Sequence, residues 1–102
     1  MTMVICATIC PQKSEAGTTT ADFLEWERAA QESFLQTSIG MLTAIASQVN
    51  SDVASCIGDW YYSSDQEEVR HDEMLEVMSE YSEYHPSTVV LAYVENICGR
   101  MN

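Results

Sequence analysis

The fold is decided by residues 65–84, which read DQEEVRHDEMLEVMSEYSEY. At about 100° per residue, the acidic side chains of this stretch fall on one arc of about 140°, and the large apolar side chains lie opposite. This two-sided pattern predicts one amphipathic helix. Its apolar side consists of Met74, Val77, Met78, Tyr81 and Tyr84, and its acidic side, which we name the acidic face, consists of Asp65, Glu68, Asp72, Glu73, Glu76, Glu80 and Glu83.

Local signals set the expected ends of this helix. Ser64-Asp65-Gln66-Glu67 matches a capping box, in which the hydroxyl and the carboxylate each accept a hydrogen bond from an unpaired backbone amide. Pro86 cannot continue a helix, and it biases the residue before it toward an extended conformation. We therefore expect the helix to run from Asp65 to about Tyr84, followed by a turn at residues 85–88.

A longer helix is predicted upstream, over residues 21–49. Its large apolar residues recur at helical spacing, and Thr19 or Thr20 supplies a cap with Asp22 in the first turn. Gly40 is the point at which we expect this helix to bend or divide, because an interior glycine costs about 1 kcal/mol relative to alanine. The apolar positions are Phe23, Leu24, Phe34, Leu35, Met41, Leu42, Ile45 and Val49.

Two shorter helices complete the predicted fold. The apolar spacing predicts one over residues 52–62 and another over 88–98, where Gly99 resembles a C-terminal cap. Residues 89–98 have strand propensity as well, but their apolar positions follow the helical period. The chain is thus expected to be an all-α, four-helix bundle-like domain over residues 21–102, with an irregular N-terminal arm and linker over 1–20.

Charge is the unusual property of the composition. Sixteen acidic residues face four basic ones, giving a formal net charge of −12. Direct contact with DNA, RNA or an anionic membrane is disfavoured, because phosphate binding relies on clustered Lys and Arg. A basic partner would be attracted instead. An acidity that only keeps the protein soluble is the alternative.

The cysteines and the apolar segments bear on location. Cys6, Cys10, Cys56 and Cys98 include no Cys-x-x-Cys pair, so we expect buried, reduced cysteines in a cytoplasmic protein. No apolar run approaches the roughly 20 residues that cross a bilayer. The apolar segment 3–10 has no basic residue before it and no small-residue cleavage site after it, which argues against a secretory signal.

A metal site is the main alternative that the motifs suggest. Glu68-Val-Arg-His71 has the Glu-x-x-His spacing of half a di-iron site in ferritin-like bundles, and Glu25 or Glu32 could add a carboxylate. Such ligands face a bundle interior, whereas the helical wheel places Glu68 on the acidic face and His71 at its border. We expect no metal and no cofactor.

No catalytic arrangement is apparent. His71 and His85 are the two histidines, and no spacing links either to a nucleophile. In character the chain resembles the small, acidic, helical inhibitors of host defence that phages encode, some of which imitate DNA; the resemblance covers no aligned stretch and transfers no residue. We expect a non-enzymatic protein whose acidic face binds a basic nucleic-acid-binding protein. A structural adaptor pairing through Trp60, Tyr61 and Tyr62 is a further alternative.

Overall fold

The computed structural model describes residues 18–102, apart from the side chain of Ser64, and this part of the chain is mostly helical with no strand. The all-α class is confirmed there, while the four-helix bundle arrangement stays a prediction. Nearly all of the predicted arm, residues 1–20, lies outside the described residues, as do Cys6 and Cys10. The α-helices are α1 (Thr20–Phe23), α2 (Arg28–Val49), α3 (Ser51–Ile57), α4 (Glu67–Met78) and α5 (Pro86–Cys98).

The predicted helix over 21–49 is divided, but not at Gly40. Thr19 caps α1 as expected, since its hydroxyl accepts from the Asp22 amide and the Asp22 carboxylate accepts from the Thr19 amide. The helix then breaks after Phe23. The buried Gln31 side chain donates to the carbonyl oxygens of Phe23 and Leu24, each at 3.2 Å, and so supplies hydrogen bonds at the break. Gly40 lies inside the unbroken α2.

The second half of α2 differs from the expected amphipathic pattern. Leu35, Ile39 and Ala46 are fully buried, whereas Met41, Ile45 and Val49 are 61%, 46% and 58% exposed. The latter three were predicted to face the core. They are spaced four residues apart and therefore form one exposed apolar stripe along the helix.

The connection between α3 and α4 replaces the predicted capping box. α3 passes into a π-helical turn, Gly58–Tyr62, and then a 3-10 turn, Ser63–Asp65. Asp65 has φ of 59°, a left-handed conformation that aspartate tolerates better than most residues. Since a left-handed residue cannot lie in an α-helix, α4 begins only at Glu67, with Gln66 rather than Ser64 as its N-cap residue.

The C-terminal end of α4 also comes earlier than predicted. The helix stops at Met78, and residues 79–84 form turns. Two carbonyl oxygens of this connection accept from α1, because the amide of Ala21 donates to Ser82 and that of Thr20 to Tyr84. The Thr20 hydroxyl also donates to the Tyr84 carbonyl at 2.8 Å. Packing against α1 thus holds residues 79–84 in turns, whereas an isolated helix could have continued through them.

Helix α5 matches its prediction closely. Pro86 occupies its first turn, where the missing N–H is no loss, and Nδ1 of His85 accepts from the Ser87 amide. Gly99 ends the helix with φ of 100°, and its amide donates to the Glu95 carbonyl. The expected cap at Gly99 is confirmed.

A disulfide joins α3 to α5 through Cys56 and Cys98, whose Cα atoms are 5.6 Å apart. The prediction of reduced cysteines is therefore wrong for this pair. The two helices pack across the core, and cysteines separated by 42 positions in the sequence gave no local signal of that proximity. The core around them draws on every helix, and its buried apolar members are Phe23, Leu35, Ile39, Ala46, Val53, Ile57, Tyr61, Met74, Met78, Val89, Val90 and Val94.

Candidate functional site

The acidic face is not a single helical ridge. Only Glu68, Asp72, Glu73 and Glu76 lie on α4, whose twelve residues span about 18 Å at 1.5 Å per residue. Asp65 precedes the helix in the 3-10 turn, while Glu80 and Glu83 follow it in the connection to α5. The predicted 20-residue helix would have been about 30 Å long, so the regular ladder of carboxylates that it implied is shortened.

Arg28 of α2 neutralises the N-terminal part of this face. Its guanidinium lies 2.7 Å from Asp72 and 3.3 Å from Glu68, and it also bonds Glu32 on its own helix at 2.8 Å. These hydrogen bonds, first with Asp72 and then with Glu32, raise the pKa of Arg28. No local sequence pattern predicts this cation, because Arg28 lies about forty residues from its partners and only the packing of α2 on α4 joins them.

Glu32 and Glu68 interact so that a hydrogen bond can join their carboxyl groups once one of them carries a proton. The Arg28 guanidinium lowers the pKa of Glu32. The hydrogen bond with Glu32 and the negative charge of Glu32 raise the pKa of Glu68. Glu68 is therefore the member of the pair that takes up a proton first as the pH falls.

Arg70 pairs with the middle of the face. Its guanidinium contacts Glu73 at 3.1 Å, donates to the Trp60 carbonyl at 2.7 Å, and lies 5.7 Å from the centre of a Trp60 ring. Arg70 thus packs against Trp60 and at the same time neutralises Glu73. The indole of Trp60 packs in turn against Tyr93 of α5, with ring centres 6.0 Å apart.

The carboxylates in the C-terminal part of the face are not paired with cations of the described residues. Glu76, Glu80 and Glu83 are exposed and make no ion pair with another residue of the described range 18–102. They follow one another at intervals of four and three residues, from the last turns of α4 into the connection. Of the seven predicted partner-binding residues, these three and Asp65 have a carboxylate that forms no ion pair with a basic residue of the range 18–102.

Glu80 lines a groove of about 570 Å³, where α4, the α4–α5 connection and α5 meet. We name it the tyrosine groove. Tyr81, Tyr84 and Tyr93 line it together with Glu80, and Val77 and Val89 contribute apolar surface. Tyr81 and Tyr84 are 46% and 57% exposed, although the sequence pattern placed both on the buried side of the helix. They are exposed because α4 ends at Met78 and its connection carries them away from the core.

His71 is not at the border of the acidic face but inside the protein. It is 1% exposed, and its Nε2 lies 2.6 Å from the hydroxyl of Tyr61, which is equally buried. Its Nδ1 has no hydrogen-bond partner and lies 4.0 Å from a Glu32 oxygen. The Glu68 carboxylate turns toward Arg28 instead. The Glu68 carboxylate and the His71 imidazole therefore do not point to a common metal position. Within residues 18–102, no three His, Cys, Asp or Glu side chains are grouped so as to hold a metal ion.

The three aromatic residues of the predicted adaptor surface contact one another but differ in exposure. Tyr61 is buried, Trp60 is half-buried against Tyr93, and Tyr62 is exposed, at 45%. Tyr62 is therefore the one member of the three that lies largely at the surface. The tyrosines that do share a surface lie in the tyrosine groove, and nothing in their sequence spacing distinguished them from core residues.

Comparisons of the chain with models of known protein families, with curated proteins and with solved structures find no match. Over residues 18–102, no helix combines the length and apolar character needed to cross a membrane. The acidic face and the tyrosine groove are therefore the features that bear on function.

Proposed function

We propose that this protein is a non-enzymatic inhibitor or interaction protein that binds a basic protein surface through the C-terminal part of its acidic face. The partner is a nucleic-acid-binding protein of a host defence or regulatory complex, and the protein competes with nucleic acid for its groove, as a phage-type anti-defence protein would. One observation carries the proposal: Glu76, Glu80 and Glu83 are exposed and have no described cation beside them.

The distribution of ion pairs favours this part of the face over the rest. Where Arg28 and Arg70 bind Glu68, Asp72 and Glu73, an incoming cation would have to displace an existing partner. A cation that binds Glu76, Glu80 or Glu83 would displace no ion-pair partner of the described residues. Since exposed charges mainly steer association and set specificity, these three carboxylates are the ones we expect to govern the rate of complex formation.

The net charge of −12 supports a nucleic-acid-binding partner in particular. A protein that binds nucleic acid carries clustered Lys and Arg along its groove. Exposed carboxylates offer such a groove negative charges without phosphates. If the partner is basic but binds no nucleic acid, the competition with nucleic acid is contradicted, and only binding to a basic protein surface remains.

The first experiment is capture of partners from an extract of the native host on the immobilised full chain, at low and at moderate salt. We expect a retained basic protein whose binding weakens as salt rises, because exposed charges are screened over about 10 Å at 0.1 M ionic strength. Added nucleic acid should release it. Retention of apolar, salt-insensitive partners alone would contradict the proposal.

Two sets of variants then separate the surface from overall acidity. In the first, Glu76→Gln, Glu80→Gln and Glu83→Gln remove three charges from the proposed surface. In the second, Glu25→Gln, Asp52→Asn and Asp59→Asn remove three exposed charges from other elements. We expect the first set to slow association with the captured partner strongly and the second set to change it little. Equal effects would show that only net charge matters.

A cytoplasmic location belongs to this proposal and has its own test. Disulfides persist mainly in oxidising compartments, whereas cytosolic thiols are usually kept reduced. Alkylation of free thiols at the moment of lysis, followed by mass spectrometry, reports the state of Cys56 and Cys98 in the host. Free thiols at both positions would show that the protein acts in a reducing compartment such as the cytoplasm, and a disulfide in the freshly lysed host would place its action elsewhere.

A further inference from the structure

The tyrosine groove combines an apolar wall, three aromatic rings and one carboxylate. We propose that it receives an arginine side chain of the partner protein, with the guanidinium against the tyrosine rings and beside Glu80. The inference rests on the proposed function only in assigning this arginine to a basic partner. It adds a defined pocket to an interaction that the carboxylates alone would leave without an anchor.

The walls of the groove match the stem of an arginine. Val77 and Val89 provide apolar surface on which the methylene groups of the side chain can lie, as they do on apolar protein surfaces generally. A volume of about 570 Å³ falls in the range of roughly 300–1,000 Å³ typical of ligand pockets. The groove thus has room for the side chain and part of its flanking backbone.

The tyrosines match the guanidinium group. Tyr81 and Tyr84 have ring centres 6.1 Å apart with planes inclined at 59°, and both rings are about half exposed. A planar guanidinium stacks on such faces and is attracted by their electron density, a contact that an ammonium makes less well. The nearby hydroxyl of Thr88 and side-chain carbonyl of Asn96 can accept its remaining N–H groups.

Charge complementarity identifies the occupant as a cation. Glu80 lines the groove and makes no ion pair within the described residues. Arg28, Arg70 and Arg100, the arginines of the described range, all lie outside the lining. A neutral apolar side chain would cover the Glu80 carboxylate without replacing its water, which costs free energy, and an anion would be repelled.

The test uses the full chain and three tripeptides with blocked ends, Gly-Arg-Gly, Gly-Lys-Gly and Gly-citrulline-Gly. Citrulline has nearly the shape of arginine without its charge. Nuclear magnetic resonance of the tyrosine rings follows each titration. We expect the arginine peptide to shift the signals of Tyr81, Tyr84 and Tyr93 in a saturable way, the lysine peptide to bind more weakly, and the citrulline peptide to leave them unchanged.

Two double variants test whether the peptide binds in the groove. Glu80→Gln and Tyr84→Ala, made together, should weaken the arginine peptide about tenfold, from the loss of one ion pair and one cation–π contact. Asp52→Asn and Tyr62→Ala, made together, alter an exposed acid and an exposed tyrosine outside the groove and should change binding less than twofold. Both affected tyrosines are about half exposed, so the fold should survive, and unchanged backbone spectra confirm it.

Several outcomes would overturn the inference. They are equal binding of the citrulline peptide, equal loss in the two double variants, and groove signals that shift with protein concentration alone, which would indicate a second copy of the chain as occupant. Groove signals that no peptide perturbs, as when the chain's own residues 1–17 fill the groove, overturn it too. The peptide titration does not involve the host partner, so failure to capture a basic partner would remove the proposed function and leave this result standing.

Discussion

The hydroxyl of Tyr61 and Nε2 of His71 lie 2.6 Å apart in the interior, where they join the π-helical turn after α3 to helix α4. Both side chains are 1% exposed. Burial raises the pKa of Tyr61 far above its ordinary value, so the hydroxyl keeps its proton. The tyrosine therefore enters this buried hydrogen bond as an uncharged hydroxyl. Because both side chains are buried, water cannot replace either partner.

Removing this hydroxyl should destabilise the protein. Tyr61→Phe keeps the ring and leaves Nε2 of His71 unpaired, which costs about 1–3 kcal/mol. Urea unfolding measures the loss. Tyr62→Phe is the matched control, because the neighbouring ring is 45% exposed and its substitution should stay within about 0.5 kcal/mol. Equal losses in the two variants would contradict the buried bond.

The two faces of α2 should respond differently to truncation. Ile39 is fully buried and Ile45 is 46% exposed. Ile39→Ala should cost about 2–5 kcal/mol through lost burial and a residual cavity. Ile45→Ala should cost about 0.5 kcal/mol or less. Similar unfolding midpoints for the two variants would favour the sequence-based prediction that Ile45 faces the core.

The Glu32–Glu68 pair predicts a maximum in stability at mildly acidic pH. The pKa of Glu68 is raised, so between neutral pH and its ordinary value of 4.5 the folded state binds more protons than the unfolded state, and stability rises as pH falls. The pKa of Glu32 is lowered, so its contribution is present above pH 4.5 and is lost on further acidification.

Urea unfolding between pH 3 and 7 measures this profile, and Glu68→Gln is the informative variant. It removes the titrating group, so the rise in stability between neutral pH and 4.5 should be smaller than in the unsubstituted protein. Glu83→Gln, which alters an exposed acid without a described ion pair, should leave that rise unchanged. The same profile in both variants would argue against the shared proton.

The Cys56–Cys98 disulfide should contribute substantially to stability. It closes a segment of 42 residues, and the loss of chain entropy in the unfolded state corresponds to about 4 kcal/mol. Reduction of the protein, or the double substitution Cys56→Ser and Cys98→Ser, should lower the urea midpoint accordingly. A midpoint that does not change under reducing conditions would contradict this role for the bond.

Several of the features that depend on neighbours within about one helical turn could be predicted from the sequence. It predicted the all-α class, the Thr19 cap with Asp22, and the helix that Gly99 ends, and all three are confirmed. Helical period and capping act between residues three or four apart, so the order of the chain contains them. The acidic residues of 65–84 were equally readable, although their role stays a prediction.

Tertiary structure decided the features that join distant segments. Arg28 reaches Glu68 and Asp72 only because α2 packs on α4, and Cys56 meets Cys98 only because α3 packs on α5. Donors from α1 hold the connection after Met78 and leave Tyr81 and Tyr84 exposed in the tyrosine groove. Each case depends on groups tens of residues apart, whose meeting follows from how the whole chain buries its apolar surface and satisfies its backbone, and no local pattern records it.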